Sequence, residues 1–238
     1  MKIVSWNIWG GKYMDEILSF LKDADADVIA LQEVIQEIDG TGNIAEKIAN
    51  KLGYEWAYFT TERFPISFLE QQDEREIDWG NAVLSRYKIR DMRVRVLSEE
   101  EPRTATETVL DIDGKPFHFF STHLFHTHQK PSDLQVLQAK NLLKVIPEER
   151  AIVAGDFNAL PDDETIKTMS SALVSADKGN ETPSWSVYPE GCRVCKPEGV
   201  IYRLDYIFGT KDIQFDSFSV EQSKGADHLP ISTRCVFQ

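Results

Sequence analysis

A set of polar residues in this sequence stands at or beside the ends of apolar runs, and their types suit hydrolysis assisted by a metal ion. Val28-Ile29-Ala30-Leu31 ends at Gln32-Glu33, Phe119-Phe120-Ser121-Thr122 at His123, and Ala151-Ile152-Val153-Ala154-Gly155 at Asp156-Phe157-Asn158. Asn7 lies near the end of the first run, Asp205 lies within Arg203–Phe208, and Asp227-His228 precede the last run. Glu33 with Asn7, plus Asp156 or Asp227, offers oxygen-rich, thiol-free ligation for a hard cation such as Mg²⁺ or Mn²⁺. Asp156 and Asn158 are two residues apart, so extended backbone projects them from one face, a carboxylate base beside an amide donor. His228 needs an orienting carboxylate to act at neutral pH, and Asp205 is the candidate partner. Each residue alone has a plainer reading: Glu33 as a solvated turn residue, Asp156 and Asn158 as local turn formers, His123 as a hydrogen-bonded core histidine. If the run ends meet at one edge of packed sheets, the set together reads as a metal-assisted hydrolase.

The elements that must position these residues follow from periodicity. Apolar runs predict strands at Lys2–Ile8, Val28–Leu31, Asn81–Ser85, Met92–Leu97, Thr106–Ile112, Phe117–Thr122, Ala151–Ala154, Arg203–Phe208, Phe215–Val220 and Ile231–Phe237. Helical spacing predicts helices at Met14–Leu21, Ile44–Leu52, Asp133–Val145 and Asp162–Met169. In the third, Leu134, Leu137, Leu142 and Val145 fall near one face, after a Pro131-Ser132-Asp133 start signal. Asp111 to Lys115 reads as a hairpin turn, and Pro161 suits a first helical turn. With no internal repeat and no Ser/Gly/Pro-rich linker, residues 1–238 are expected to form a single α/β domain with more strands than helices. The polar stretches Glu62–Asp78 and Asn180–Gly199 read equally as lids or as ordinary surface loops.

At these residues the chain resembles the endonuclease/exonuclease/phosphatase superfamily of metal-dependent phosphoesterases. The matching stretches are Ser5-Trp6-Asn7-Ile8, Leu31-Gln32-Glu33, Gly80 to Ser85, Ser121-Thr122-His123-Leu124, Gly155-Asp156-Phe157-Asn158, Arg203 to Phe208, and Ser223 to Pro230. They stand in the family's order from residue 5 to residue 230. The resemblance implies a four-layer sandwich, two packed mixed β-sheets flanked by helices, with the active site at one edge. It implies Glu33 as the principal metal ligand, supported by Asn7 and Asp227. Asp156 would then position or deprotonate the attacking water, and Asn158 would hold the phosphate. Asp205 and His228 would form a carboxylate–imidazole pair, and His123 would donate to a non-bridging oxygen. Ala226 departs from the pattern, since many members place Ser before the Asp.

Charge bears on the substrate. The 26 Lys+Arg against 39 Asp+Glu leave a net charge of −13, which argues against a broad basic face for nucleic acid. It argues equally against a basic membrane-surface helix. The densest basic stretch, Arg86, Lys88, Arg90, Arg93 and Arg95, alternates as a solvated strand face does. A small phosphomonoester or phosphodiester is the expected substrate, hydrolysed by in-line attack of water. A nuclease or DNA-repair enzyme acting on nucleic-acid ends, and a non-catalytic binding module on the same fold, are the alternatives. A sphingomyelinase would need an apolar docking hairpin, and a phosphoinositide phosphatase a strongly basic pocket. Trp9, Trp79 and Trp185 are candidate aromatic walls, although burial is the commoner fate of a Trp. Cys192 and Cys195 lack the second pair of a tetrahedral zinc site. The odd total of 3 cysteines, with no leader or membrane span in view, points to the cytoplasm.

Overall fold

The computed structural model describes residues 1–38, 42–65, 75–179, 181–192, 194 and 196–237. In chain order the elements are β1 (Lys2–Asn7), α1 (Met14–Ala24), β2 (Val28–Glu37), α2 (Ile44–Leu52), β3 (Glu55–Pro65) and β4 (Glu76–Ser85). There follow β5 (Ile89–Ser98), β6 (Arg103–Ile112), β7 (Lys115–His123), α3 (Asp133–Leu143), β8 (Ala151–Asp156) and α4 (Glu164–Ala172). The chain closes with β9 (Val174–Ser175), β10 (Asp205–Gly209), β11 (Ile213–Val220) and β12 (Ile231–Phe237).

Two six-stranded sheets form, ordered β11-β12-β1-β2-β4-β3 and β5-β6-β7-β8-β10-β9. Both are mixed: β1 runs parallel to β2 and β7 parallel to β8, while the remaining pairs are antiparallel. Alternation along each strand sorts the side chains into layers. Ile3, Val28, Ala30 and Val83 of the first sheet meet Phe117, Phe119, Ile152, Ala154 and Ile207 of the second in the central core. The intervening residues Val4, Trp6, Ile29 and Leu31 pack against Ile17 and Leu21 of α1 and Ile48 of α2. Phe120, Val153, Tyr206 and Phe208 pack against Leu142 of α3 and Met169 of α4. The central strands are therefore buried on both faces, which is why they read as unbroken apolar runs. The result is the expected four-layer sandwich. Asn43 caps α2, accepting from the Ala45 and Glu46 amides, and left-handed Gly53 ends it. The β6–β7 turn is Asp113-Gly114, both at positive φ, as the hairpin reading requires.

Several boundaries differ from the sequence reading. β3 was not expected; it is a sheet-edge strand whose apolar residues Trp56 to Phe59 give way to a polar half with Thr60, Glu62 and Arg63 on its surface. The ends of the Glu62–Asp78 stretch are strand and not loop, because Glu62–Pro65 belong to β3 and Glu76–Asp78 to β4. Its residues 66–74 lie outside the described residues. On α3 the buried face is Gln135, Gln138, Ala139 and Leu142, while Leu137 is 47% exposed. Pro161 precedes α4 by a turn, and Asp163 accepts from the Leu160 amide there. Cys192 is disulfide-bonded and Cys235 is a buried free thiol, so the odd cysteine count no longer argues for a reducing compartment; Cys195 lies outside the described residues.

Candidate active site

Sheet topology brings the polar run ends to one edge of the sandwich. Asn7 at the end of β1 is in register with Gln32 of β2, and His123 at the end of β7 is opposite Asp156 at the end of β8. Because β10 is antiparallel to β8, its first residue, Asp205, also faces Asp156. β12 is antiparallel to β1, which returns Asp227-His228 to the same edge.

Glu33 reaches the site through a bulge, not a strand end. β2 continues to Glu37, but its pairing with β4 jumps from Leu31↔Ala82 to Val34↔Gly80. Two β2 residues thus oppose one on β4, and Glu33 sits there at φ 57. Gly80 fits because a Cβ there would lie 2.0 Å from the Phe59 carbonyl oxygen. Cross-sheet hydrogen bonds pin this end of the sandwich: Gln32 Nε2 donates to Ser121 Oγ at 3.0 Å, and Asn81 Nδ2 to the Thr104 carbonyl at 3.1 Å.

Asn7 Nδ2 donates to Glu33 Oε1 at 2.9 Å and to Asp156 Oδ2 at 3.1 Å, while its Oδ1 accepts from the Trp9 amide. Asp156 Oδ2 also lies 3.4 Å from His123 Nε2 and 3.5 Å from His228 Nε2. His228 Nδ1 pairs with Asp205 Oδ2 at 2.9 Å. Asp156 and Asn158 are neighbours through a turn, not through strand pitch. The Asn158 amide donates to Asp156 Oδ1 at 2.9 Å and Asn158 adopts φ 49, so Asp156 caps the turn with one oxygen and serves the site with the other. Asn158 Nδ2 donates to the Leu124 carbonyl and lies 2.9 Å from His123 Nε2.

Burial and mutual repulsion dominate the electrostatics. Glu33 is pushed up to about 8, first by desolvation and then by the Asp227 carboxylate. Asp156 is pushed up to about 7 by desolvation, partly relieved by His228. For His228 burial opposes the charge, but Asp205 and Asp156 outweigh it and hold the imidazole well above its ordinary range. His123 is driven well below that range by burial, then by Arg103 and His228. Asp156, Asp205 and His228 each present a ligand atom within 4.8 Å of the others.

Apart from Trp185, named above only as a candidate wall, the supporting residues carry no direct signal in the sequence. Ser184 Oγ donates to Asp205 Oδ2 at 2.6 Å, and Trp185 Nε1 to Asp227 Oδ2 at 3.0 Å. Both lie in the Asn180–Gly199 stretch, which therefore packs into the site instead of merely covering it. Gln135 and Gln138 of α3 hold the loops behind Asn158: Gln135 Nε2 donates to the Phe125 and Asn158 carbonyls, and Gln138 Oε1 accepts from the Phe125 amide. Glutamines at i and i+3 within a helical run were the available clue. Of the three tryptophans proposed as walls, Trp79 and Trp185 are buried, and Trp9 packs with Tyr188 at 5.7 Å at the rim.

A site of this composition at the edge of such a sandwich is that of a phosphoesterase class that includes nucleases and phosphatases. The chain belongs to the Endonuclease/Exonuclease/phosphatase family, whose model matches residues 4–228. Human Nocturnin is 27% identical over 226 residues, covering 83% of this chain and 47% of its own length, so the chain spans about half of that curated relative. An endonuclease/exonuclease/phosphatase family protein from Leptotrichia buccalis superposes over 100% of both chains with a TM-score of 0.76 at 19% identity. A mannosyl-6-phosphatase from Bacteroides thetaiotaomicron does so over 100% of both chains with a TM-score of 0.72 at 18% identity. At these identities the two structures establish the shared fold. Among the described residues, no helix is long and apolar enough to cross a membrane.

Proposed function

We propose that residues 1–238 act as one divalent-cation-dependent phosphoesterase that hydrolyses a small phosphomonoester or phosphodiester by in-line attack of water. The observation that carries this reading is the gathering of Glu33, Asp156, Asp205 and Asp227 around the buried Asp205–His228 pair. The residues fit a hard cation, Mg²⁺ or Mn²⁺. The Asp227 carboxylate raises the cost of ionising Glu33, and Asp227 Oδ1 is a buried oxygen with no hydrogen-bond partner. Those two carboxylates would hold the ion, with Asn7 beside Glu33 as the supporting residue. Asp205 Oδ1 is likewise a buried oxygen with no partner, so Asp156, Asp205 and His228 form a second candidate set, one whose Asp205–His228 pairing also serves to orient the imidazole. When bound, the cation supplies charge to a phosphoryl oxygen and offsets the repulsion between carboxylate and substrate.

The remaining work falls to the chain's own groups. Asp205 fixes the His228 ring with its Nδ1 proton inward, which leaves Nε2 facing Asp156 Oδ2 at 3.5 Å. That pair takes up the proton lost by a water placed against it. Ser184 and Trp185 keep Asp205 and Asp227 from turning away. His123 and Asn158 border the same space, and a phosphoryl oxygen entering it would take the hydrogen now shared between Asn158 Nδ2 and His123 Nε2.

A substrate with a planar base, such as a nucleic-acid end, is the second reading. Trp9, Tyr13 and Tyr188 stack at the rim, with Trp9 two residues from Asn7 and Val187 bonded to the Asp227 carbonyl. Sugar phosphates, nucleotides, short single strands and lipid phosphates assayed side by side with Mg²⁺ or Mn²⁺ test both readings. Turnover of a small ester is expected. No turnover on any of them at high protein concentration would favour the binding module instead.

A further inference from the structure

The loop after β7 carries two histidines, His126 and His128, for which the reaction above has no use. They stand behind Asn158, whose amide is enclosed on three sides. Its Nδ2 donates to the Leu124 carbonyl at 3.0 Å and lies 2.9 Å from His123 Nε2, while its Oδ1 is 2.8 Å from His126 Nδ1. A carbonyl oxygen can only accept, so Leu124 dictates which end of the amide is nitrogen. The amide oxygen therefore faces His126, and His126 Nδ1 must carry a proton and donate it. The requirement is the same for a neutral and for a charged imidazole, since both can bear a proton at Nδ1.

Behind this contact His128 Nδ1 lies 2.8 Å from His126 Nε2, with the rings perpendicular at 4.3 Å. For two neutral rings one arrangement is consistent: His128 donates from Nδ1 to His126 Nε2, which keeps the His126 proton on Nδ1. The second Asn158 hydrogen is then directed at His123 Nε2, and the His123 proton is left on Nδ1. The chain of contacts thus runs from His128 through His126 and Asn158 to His123, beside Asp156. The loop bends hard to make it, with His128 at φ 53 and Gln129 at φ 58. Left-handed backbone is unfavourable for residues with a Cβ, so the packing around the histidines must hold the turn.

We propose that His126, backed by His128, is a positioning residue that fixes the Asn158 amide and, through it, the tautomer of His123. The consequence for rate rests on the phosphoesterase reading; the contact itself does not. The test measures kcat, KM and Mn²⁺ affinity for His126→Leu, His126→Asn, Asn158→Ala and the His126→Leu/Asn158→Ala double variant. The substrate is whichever ester the unaltered protein turns over. His126→Leu is expected to lower kcat about 10- to 100-fold, as loss of an orienting partner does. KM and the Mn²⁺ titration should move little. His126→Asn, which can place an amide N–H near the position of Nδ1, should recover most of the rate. In the Asn158→Ala background His126→Leu should add almost nothing. An equal loss in both backgrounds, or no rescue by Asn, would mean a general structural role and overturn the proposal. If the unaltered protein turns over no ester, the phosphoesterase reading is what fails, and ¹⁵N NMR of the imidazoles still decides the contact. A proton on His126 Nδ1 supports it, and one on Nε2 alone overturns it.

Discussion

Glu33 and Asp156 carry the clearest physical consequence at the scale of single residues. Glu33 rises from an ordinary 4.5 to about 8 and Asp156 from 3.8 to about 7, both chiefly through desolvation. A carboxyl with a raised folded-state value holds more protons folded than unfolded between the two values. These two groups therefore contribute stability to the cation-free protein that is lost as pH rises from about 4 to about 8. Chelator-treated protein should melt at a higher temperature at pH 5.5 than at pH 8, and Glu33→Gln should flatten that slope. Added Mn²⁺ should raise Tm more at pH 8 than at pH 5.5, because the cation competes with protons for the same oxygens. A flat profile, or one that Glu33→Gln leaves alone, would remove Glu33 from the proposed ligand set. The same scale holds the Asp205–His228 pair. His228→Ala should cost at least about 10²-fold in kcat, the usual size of an acid–base contribution. Near-normal turnover of the Ala variant would dismiss the pair from the mechanism.

At the scale of elements, the site depends on β7 and β8 lying side by side so that His123 meets Asp156. Gly155 permits this: a Cβ there would stand 1.9 Å from the Thr122 carbonyl oxygen, a backbone atom that cannot swing aside. Gly155→Ala should therefore spread the two strand ends, lowering stability by about 2 kcal/mol or more, within the range of core overpacking. It should also reduce activity beyond what the loss of folded protein explains. Thermal melting and kcat measured on the same sample check both; an unperturbed Tm would show that the strands can separate freely. Strand ends were legible in the sequence because strands buried on both faces leave apolar runs that stop where the polar residues begin. The bulge at Glu33 was not legible, since it arises from pairing with β4 and leaves no mark within Leu31-Gln32-Glu33 itself. The supporting face of α3 was misread for a related reason. Its buried glutamines satisfy loop backbone, a demand set by Phe125 and Asn158 and invisible in the periodicity of the helix. Ser184 lies in irregular chain, where no period exists to flag it, and Trp185, read as a candidate wall, instead donates to Asp227.

For the whole molecule the question is what a net charge of −13 does to a phosphoester substrate. The one dense basic stretch gives little help, because its arginines are already matched. Arg86 pairs with Asp25 and Arg93 with Asp91; Arg90 lies 2.6 Å from Asp111 and Arg95 2.6 Å from Glu107. Glu107 also meets His118 at 2.7 Å, and these partners hold its carboxyl below the ordinary range despite burial. The β5–β6 face is thus a set of internal ion pairs, not a phosphate-binding track. The cation and the few donors at the sheet edge must then supply nearly all of the attraction for substrate, and only for the phosphate at the centre. Binding of a protein that neutralises Z phosphates of duplex DNA falls with salt at a log–log slope of about −0.9Z. Here kcat/KM for a small ester should change by no more than about twofold between 50 and 200 mM KCl at saturating cation, since one phosphate is engaged. Duplex DNA should neither bind measurably at 150 mM salt nor compete with the ester. A competing duplex with a slope of about −3 or steeper would mean that three or more phosphates are neutralised along a surface. That outcome would require the arginines of β5 to leave their carboxylate partners, and it would return a long nucleic acid to the list of substrates.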